Sequence, residues 1–238
     1  MSTQPLSPET RALLSRISTA TLTSQLMARG LRNTFMHKVY RLTTGGPSMV
    51  GEAFTLRYIP AREDIDVSAV FENREHPQRK AVETIPAGHV LVIDCRQDAR
   101  AAGAGSILVS RTMMRGAAGV VTDGGLRDSP TIEALDYPVY CAGRAAPTNL
   151  TRHHAVDVNV PIGCGDVPVY PGDIIVGDRE GVVVIPRHLA DEVARQGTEQ
   201  TLMEDFVIER VLAGQSTYGL YPPNEESLAA FEKWKKGR

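Results

Sequence analysis

In the stretch Thr122-Asp123-Gly124-Gly125-Leu126-Arg127-Asp128-Ser129-Pro130, an arginine and an aspartate stand side by side after two glycines. Neighbours on a strand point to opposite faces, but a Gly-rich loop can aim both side chains into one cleft. Such a pair suits a 2-oxo acid. The planar guanidinium of Arg127 can take a carboxylate through two parallel hydrogen bonds, and Asp128 can help to hold a hard divalent cation that bridges carboxylate and keto oxygens. A cation there would act as a Lewis acid on an enolate formed at C3. The plainer use of the same two residues is to cap the following segment and pair with surface charges, and the residues alone leave both open.

The surrounding elements favour a site. His89-Val-Leu-Val-Ile-Asp94 is a continuous apolar run, as expected of a strand buried on both faces. Residues 106–115 read as a helix and Val120-Val-Thr-Asp123 as the next strand, which together make a βαβ unit with parallel strands. Ligands of open α/β sheets bind beyond the carboxyl ends of such strands, where both Asp94 and the Arg127-Asp128 loop fall. Gly103-x-Gly105 precedes the helix without a third glycine or a ribose-binding acid, which points to packing or to an anion site at the helix start.

Elsewhere, Ser7-Pro8-Glu9 opens one helix and Ser18 or Thr19 a second, stopped by Gly30. Alternation from Gly51 predicts a strand ending at Pro60, and residues 64–71 read as helical. Residues 137–141 and 155–160 are strands. Ile174-Ile-Val176 and Val182-Val-Val-Ile185, set among dense turns, predict a compact antiparallel sheet or barrel. Residues 188–213 form a long helix stopped by Gly214, and a short helix near 225–235 closes the chain. The fold class expected is α/β, with a central βαβ unit, a β-rich second half and flanking helices in one 238-residue domain.

A formal net charge of −2 offers no basic footprint for nucleic acid. No apolar run approaches a membrane span and the N-terminus has no export signal, so a soluble, cytoplasmic protein is expected. Cys95, Cys141 and Cys164 are odd in number and widely spaced, which suits reduced thiols. Asp123, Asp173 and Asp178 read as turn residues. His153 and His154 would face opposite ways on a strand. Glu204, Asp205 and Glu209 read as exposed helix charges within reach of a neighbouring site, with Arg144 and Tyr218 as lesser candidates.

The whole run from Gly103 to Asp128, Gly-Ala-Gly-Ser-Ile-Leu-Val-Ser-Arg-Thr-Met-Met-Arg-Gly-Ala-Ala-Gly-Val-Val-Thr-Asp-Gly-Gly-Leu-Arg-Asp, resembles the family of 4-hydroxy-4-methyl-2-oxoglutarate aldolases and the regulator of ribonuclease activity A (RraA-like). The later run from Val167 to Pro186 is similar to that family's second signature, so the resemblance covers roughly residues 15–213 and leaves 214–238 as a tail. It implies a swivelling β/β/α-type fold, assembled as a homotrimer or homohexamer with active sites at subunit interfaces. It also implies Arg127 on the pyruvyl carboxylate, Asp128 as a ligand of Mg2+ or Mn2+, and the main-chain amides of Gly105, Ser106, Ile107 and Leu108 completing the substrate pocket. The family's earlier acid falls on Ser106, which can hydrogen-bond a metal-bound water but cannot act as that acid or base at neutral pH. Asp94, Asp98 or a neighbouring subunit's carboxylate would have to substitute.

The activity implied is a metal-dependent class II-type lyase that cleaves a 4-hydroxy-2-oxo acid to pyruvate plus an aldehyde or oxo acid, with oxaloacetate decarboxylation as a side activity. Loss of the acid at Ser106 motivates a dehydratase or hydrolase of a 2-keto-3-deoxy sugar acid instead. The regulator branch implies a third alternative, a non-catalytic protein that binds a ribonuclease.

Overall fold

The computed structural model describes residues 5–237. Helix α1 (Pro8–Leu14) starts where the Ser7 side chain accepts the Thr10 N–H, and α2 (Thr19–Ala28) where Ser18 does the same for Thr21. Each serine satisfies an amide that the first turn leaves without a partner. Gly30, at φ 83°, ends α2 as expected. Strands β1 (Tyr40–Arg41) and β2 (Met49–Pro60) follow, then α3 (Pro77–Thr84).

From here one pattern repeats three times: a strand of the main sheet, a short strand of a second sheet, then helix. β3 (His89–Asp94) leads to β4 (Ala102–Ala104) and α4 (Ser106–Met114). β5 (Gly119–Thr122) leads to β6 (Gly125–Leu126) and α5 (Ser129–Glu133). β7 (Val139–Cys141) leads to β8 (Gly143–Arg144) and a 3-10 turn at Asn149–Thr151. After these come β9 (His153–Val158), the hairpin of β10 (Ile162–Cys164) and β11 (Val167–Val169), and the hairpin of β12 (Ile174–Gly177) and β13 (Val182–Ile185). Helices α6 (Ala190–Leu212) and α7 (Glu225–Lys236) finish the described chain.

The main sheet runs β1-β7-β5-β3-β2-β12-β13, with β2, β3, β5 and β7 parallel. One edge of the long β2 is shared, since β12 pairs antiparallel with Met49 to Glu52 and β9 with Leu56 to Pro60. β4, β6 and β8 form a separate three-stranded parallel sheet at the carboxyl ends of β3, β5 and β7. This is the mixed α/β architecture expected, with the β-strand, β-strand, helix unit as its building block.

The apolar run in β3 explains itself in the packing. Val90 and Val92 enter a cluster with Met49, Val121 and Ile175, whereas Leu91 and Ile93 enter one with Val82, Val109 and Val120. Full burial of each such side chain contributes about 1.5–3 kcal/mol, so neither face of the strand has room for a polar residue. A third cluster packs Leu14, Leu22 and Leu26 against Val183, Ile185 and Val193, fixing α1 and α2 to β13 and α6.

The structure corrects one local expectation, adds a helix and places a hairpin. Residues 64–71 are not α-helical: the Arg62 N–H donates to Asp66 Oδ2 at 2.7 Å in a turn, followed by a 3-10 helix at Ser68–Glu72. Helix α3, not expected from the sequence, buries Gln78, Ala81 and Val82 at helical spacing, but the face is short and one of the three is polar. β12 and β13 are the antiparallel pair expected, and they extend the main sheet through β2. Among the described residues, no helix is long and apolar enough to cross a membrane.

Candidate functional site

The ends of all three repeated units border one cleft of about 220 Å³. Gly105, Ile107 and Leu108 come from the first unit, Arg127 and Asp128 from the second, Thr148 and Asn149 from the third. Phe71, Gln78 and Arg79 form the remaining wall.

Asp128 is the focus of strain. Its backbone is left-handed (φ 58°, ψ 33°) at the N-cap of α5, yet its side chain caps nothing in its own helix. A non-glycine residue in this conformation costs about 1 kcal/mol or more, although aspartate tolerates it better than most. The carboxylate turns instead across the cleft to the start of α4. Oδ2 accepts the Ser106 N–H at 3.2 Å and the Ser106 hydroxyl at 3.3 Å, with Arg127 Nε at 3.7 Å. Asp128 thus caps α4, whose own N-cap, Gly105, has no side chain to do so. Gly105 is required by this approach: a Cβ there would lie 2.8 Å from Asp128 Oδ2 and 2.9 Å from Arg127 Cγ.

Two consequences follow for binding. Asp128 Oδ1 accepts no hydrogen bond among the described residues, so one carboxylate oxygen is available to a cation. With the Ser106 amide taken, the Ile107 and Leu108 amides remain as donors without i−4 acceptors at the positive end of α4. The half-exposed Arg127 guanidinium stands beside them, its backbone N–H held by Ala104 O at 3.2 Å. The structure therefore brings together all the sequence-predicted site residues, Gly105, Ser106, Ile107, Leu108, Arg127 and Asp128.

The candidate substitutes for the missing acid lie elsewhere. Asp98 is bound through both oxygens by Arg100, and Asp94 lines a separate cleft with Arg96, Asp123 and Asp166. Among the described residues, Asp128 is the only carboxylate that lines the Arg127 cleft, and no group of three His, Cys, Asp or Glu could hold a metal ion. Asp123 does more than shape its own turn. Fully buried, it accepts the Cys95 N–H at 2.7 Å, the Gln97 N–H at 3.1 Å and the Gly165 N–H at 3.3 Å. Burial pushes its carboxyl up to about 6 against the pull of those amides, and the charge of Asp94 adds to the rise.

The remaining candidates take structural places. Asp173 accepts the Tyr170 N–H and Asp178 the Glu180 N–H, as turn residues do. His153 stacks on Tyr58 in the interior, and His154 bonds Asp66 on the other side of β9. Glu204 accepts from Thr21, Glu209 from Trp234, and Arg144 pairs with Glu133. Sequence reasoning missed Phe71, Gln78, Arg79, Thr148 and Asn149. Pro77 at the first turn of α3 was the one available signal, and it marks a helix rather than a site. Arg79 lies with its guanidinium carbon 4.7 Å from the Phe71 ring centre, while Gln78 donates to the Tyr58 hydroxyl and to Gly103 O, both at 2.9 Å. A larger hollow of about 360 Å³, lined by Leu31, Val167, Pro168, Val184 and Pro186 together with Asp173, Arg187 and His188, includes none of the residues of this cleft.

Comparison with known proteins bears on this arrangement. The model of the RraA-like family, described as Aldolase/RraA, matches residues 19–184. The chain belongs to the RraA-like family. A relative from Halalkalibacterium halodurans, named "Putative 4-hydroxy-4-methyl-2-oxoglutarate aldolase", is 36% identical over 134 residues, which are 56% of this chain and 63% of that protein. Protein DlpA of Legionella pneumophila is 26% identical over 72% of this chain but only 27% of its own length. The match thus spans less than two thirds of either relative. Among solved structures, an uncharacterized protein from Pseudomonas syringae superposes with a TM-score of 0.76 at 25% identity, covering 92% of this chain and 99% of that one. Streptomyces coelicolor RraAS2, described as an unusual member of the RNase ES inhibitor RraA protein family, gives 0.74 at 29% identity over 85% and 97% of the two chains.

Proposed function

We propose that this RraA-like chain is a divalent-cation-dependent lyase that cleaves a 4-hydroxy-2-oxo acid to pyruvate and an aldehyde or oxo acid. The observation that carries the reading is the sharing of one cleft by Arg127, the free oxygen of Asp128 and the exposed amides of α4. Arg127 takes the substrate carboxylate, and the Ile107 and Leu108 amides donate to the same head. Asp128 Oδ1 would hold Mg2+ or Mn2+, which fits a site with one carboxylate, because Mg2+ commonly keeps several waters and is bound by one or two carboxylates plus substrate oxygens. When bound, the cation supplies a Lewis acid to the keto oxygen.

In the cleavage the C3–C4 bond breaks, its electron pair stays with the pyruvate fragment, and the 4-hydroxyl loses a proton as it becomes a carbonyl. The Ser106 hydroxyl is engaged by Asp128 and is too weak a base for that proton at neutral pH. The proposal assigns the proton to a group from a neighbouring subunit of a homotrimer or homohexamer. Ile107 and Met114, seven residues apart on one face of α4, are 79% and 73% exposed and supply apolar surface for such an interface beside the cleft. The same pyruvate enolate would allow slow oxaloacetate decarboxylation.

The test is pyruvate release, coupled to lactate dehydrogenase, from 4-hydroxy-2-oxo acids and oxaloacetate with and without Mg2+ or Mn2+. Cation-dependent release that disappears in Asp128→Ala is expected, and no release from any of these acids would reject the lyase. Serine at the position of the family's acid favours one second reading, dehydration or hydrolysis of a 2-keto-3-deoxy sugar acid, which would give products without pyruvate.

A further inference from the structure

The third repeated unit reaches the cleft as the first two do, and it brings an unusual amide there. Asn149 is 4% exposed and forms part of the cleft wall. Its Oδ1 accepts the Thr148 hydroxyl at 3.2 Å, while Nδ2 has no acceptor among the described residues. The segment around it is firmly tied: the Ala102 N–H donates to Pro147 O and the Arg152 N–H to Asn149 O, both at 2.9 Å. The side chain is therefore not free to swing away and find a partner in solvent.

A buried amide without an acceptor destabilises a fold, and nearly all such groups in native proteins are paired. Departures from that rule are expected where binding needs them. A leucine here would fill nearly the same space without the penalty. With the carbonyl end of the amide engaged by Thr148, the end left over is a pure donor. The partner it fits is an oxygen.

We infer that Asn149 donates a hydrogen bond to an oxygen on the tail of the bound 2-oxo acid, beyond C3, and so selects substrates that carry one. The inference rests on the reading of Arg127 as the holder of the acid's head. Arg127 and Asp128 belong to the second unit and Asn149 to the third, so head and tail meet different walls of the cleft. A site built to hydrogen-bond a substrate group rejects an otherwise similar molecule that lacks it, because the buried donor then stays unpaired. A tail hydroxyl and a tail carboxylate share this chemistry, and ligand choice separates them.

The experiment is calorimetric binding in Mg2+ of four acids that cannot undergo retro-aldol cleavage: pyruvate, 2-oxopentanoate, 5-hydroxy-2-oxopentanoate and 2-oxoglutarate. The wild type is expected to bind at least one oxygenated tail tenfold or more tighter than 2-oxopentanoate, and that acid identifies the oxygen. Asn149→Leu should abolish the preference, leave pyruvate binding unchanged and melt no lower than the wild type. Asn149→Asp, which keeps the size and loses the donor, should lose it too and serves if the leucine variant does not fold. An unaltered preference in these variants overturns the role of Asn149 while leaving the head site standing. Failure of the wild type to bind any of the four acids removes the head reading and this inference together. Arg127→Ala, expected to weaken all four alike, marks that boundary.

Discussion

At Asp128 a left-handed backbone, an uncapped α5 and a carboxylate reaching back to Ser106 occur in one residue. The left-handed backbone costs folding free energy that the cap on α4 offsets only in part, and the coincidence of these features beside Arg127 is what separates a site from a surface ion pair. Exposed pairs contribute little to stability, so the Arg127–Asp128 contact at 3.7 Å does not account for the geometry by itself. If Arg127 holds a carboxylate, Arg127→Ala should lower kcat/KM by about 10- to 100-fold, the worth of a charged hydrogen-bonded contact, mainly through KM. Arg127→Lys should recover part of the charge but not the two-pronged geometry. Equal kinetics for wild type and alanine variant would remove the arginine from the site. These two residues were legible in the sequence because they are adjacent and follow Gly-Gly. Arg79 and Asn149 were not, because 70 residues of chain separate them and only the fold places both on the cleft.

At the scale of elements, the site depends on how closely the second sheet and α4 approach the second unit. Gly105→Ala tests that approach directly. Its Cβ would sit 2.8 Å from Asp128 Oδ2, so the carboxylate must move off α4. The expected outcome is a loss of cation-dependent activity with a far smaller change in melting temperature, since Gly105 lies outside the buried clusters. Wild-type activity in that variant would show that the Asp128–Ser106 contact is dispensable.

The loop from β3 to β4 carries two left-handed residues, Arg96 and Gln97, each with φ 58°, and is secured by Asp123, which accepts the Cys95 and Gln97 N–H groups on either side of Arg96. Its carboxyl, raised by burial to about 6, lies above the ordinary value near 4 of an unfolded chain. Between those values the folded protein binds a proton that the unfolded chain has released. This group's contribution to stability is therefore greatest at low pH and falls as pH rises through about 4 to 6, by on the order of 2–3 kcal/mol. Denaturant midpoints from pH 4 to 7 should show this slope as a difference between wild type and Asp123→Asn, and parallel curves would contradict it. Strand β3 was legible because both its faces are apolar. The clamp was not, since Asp-Gly-Gly reads as a turn and gives no hint that the carboxylate takes three amides from two separate backbone segments.

The whole molecule divides its stability unevenly. Three apolar clusters join the sheets to α1 through α6, whereas a fourth, formed by Phe206, Val207, Leu220 and Phe231, joins only the second half of α6 to α7. The match to the family model ends at residue 184, before the residues of this fourth cluster. The long helix and its Gly214 stop were legible from the sequence, but the aromatic packing on it was not, because Phe206, Phe231 and Trp234 come together from two helices separated by an irregular segment. Phe206 is 1% exposed, with the Phe231 and Trp234 rings each 5.7 Å away. Phe206→Ala should cost about 3–5 kcal/mol locally. Because this cluster is what seats α7 on α6, the loss should appear as faster amide exchange across residues 203–236 and not across β3 or β5. Pyruvate affinity should stay at the wild-type value, since neither helix lines the Arg127 cleft. A weakened affinity would mean that the C-terminal helices are coupled to the site, as they would be if α7 helped to hold the subunit interface on which the cleft is proposed to depend.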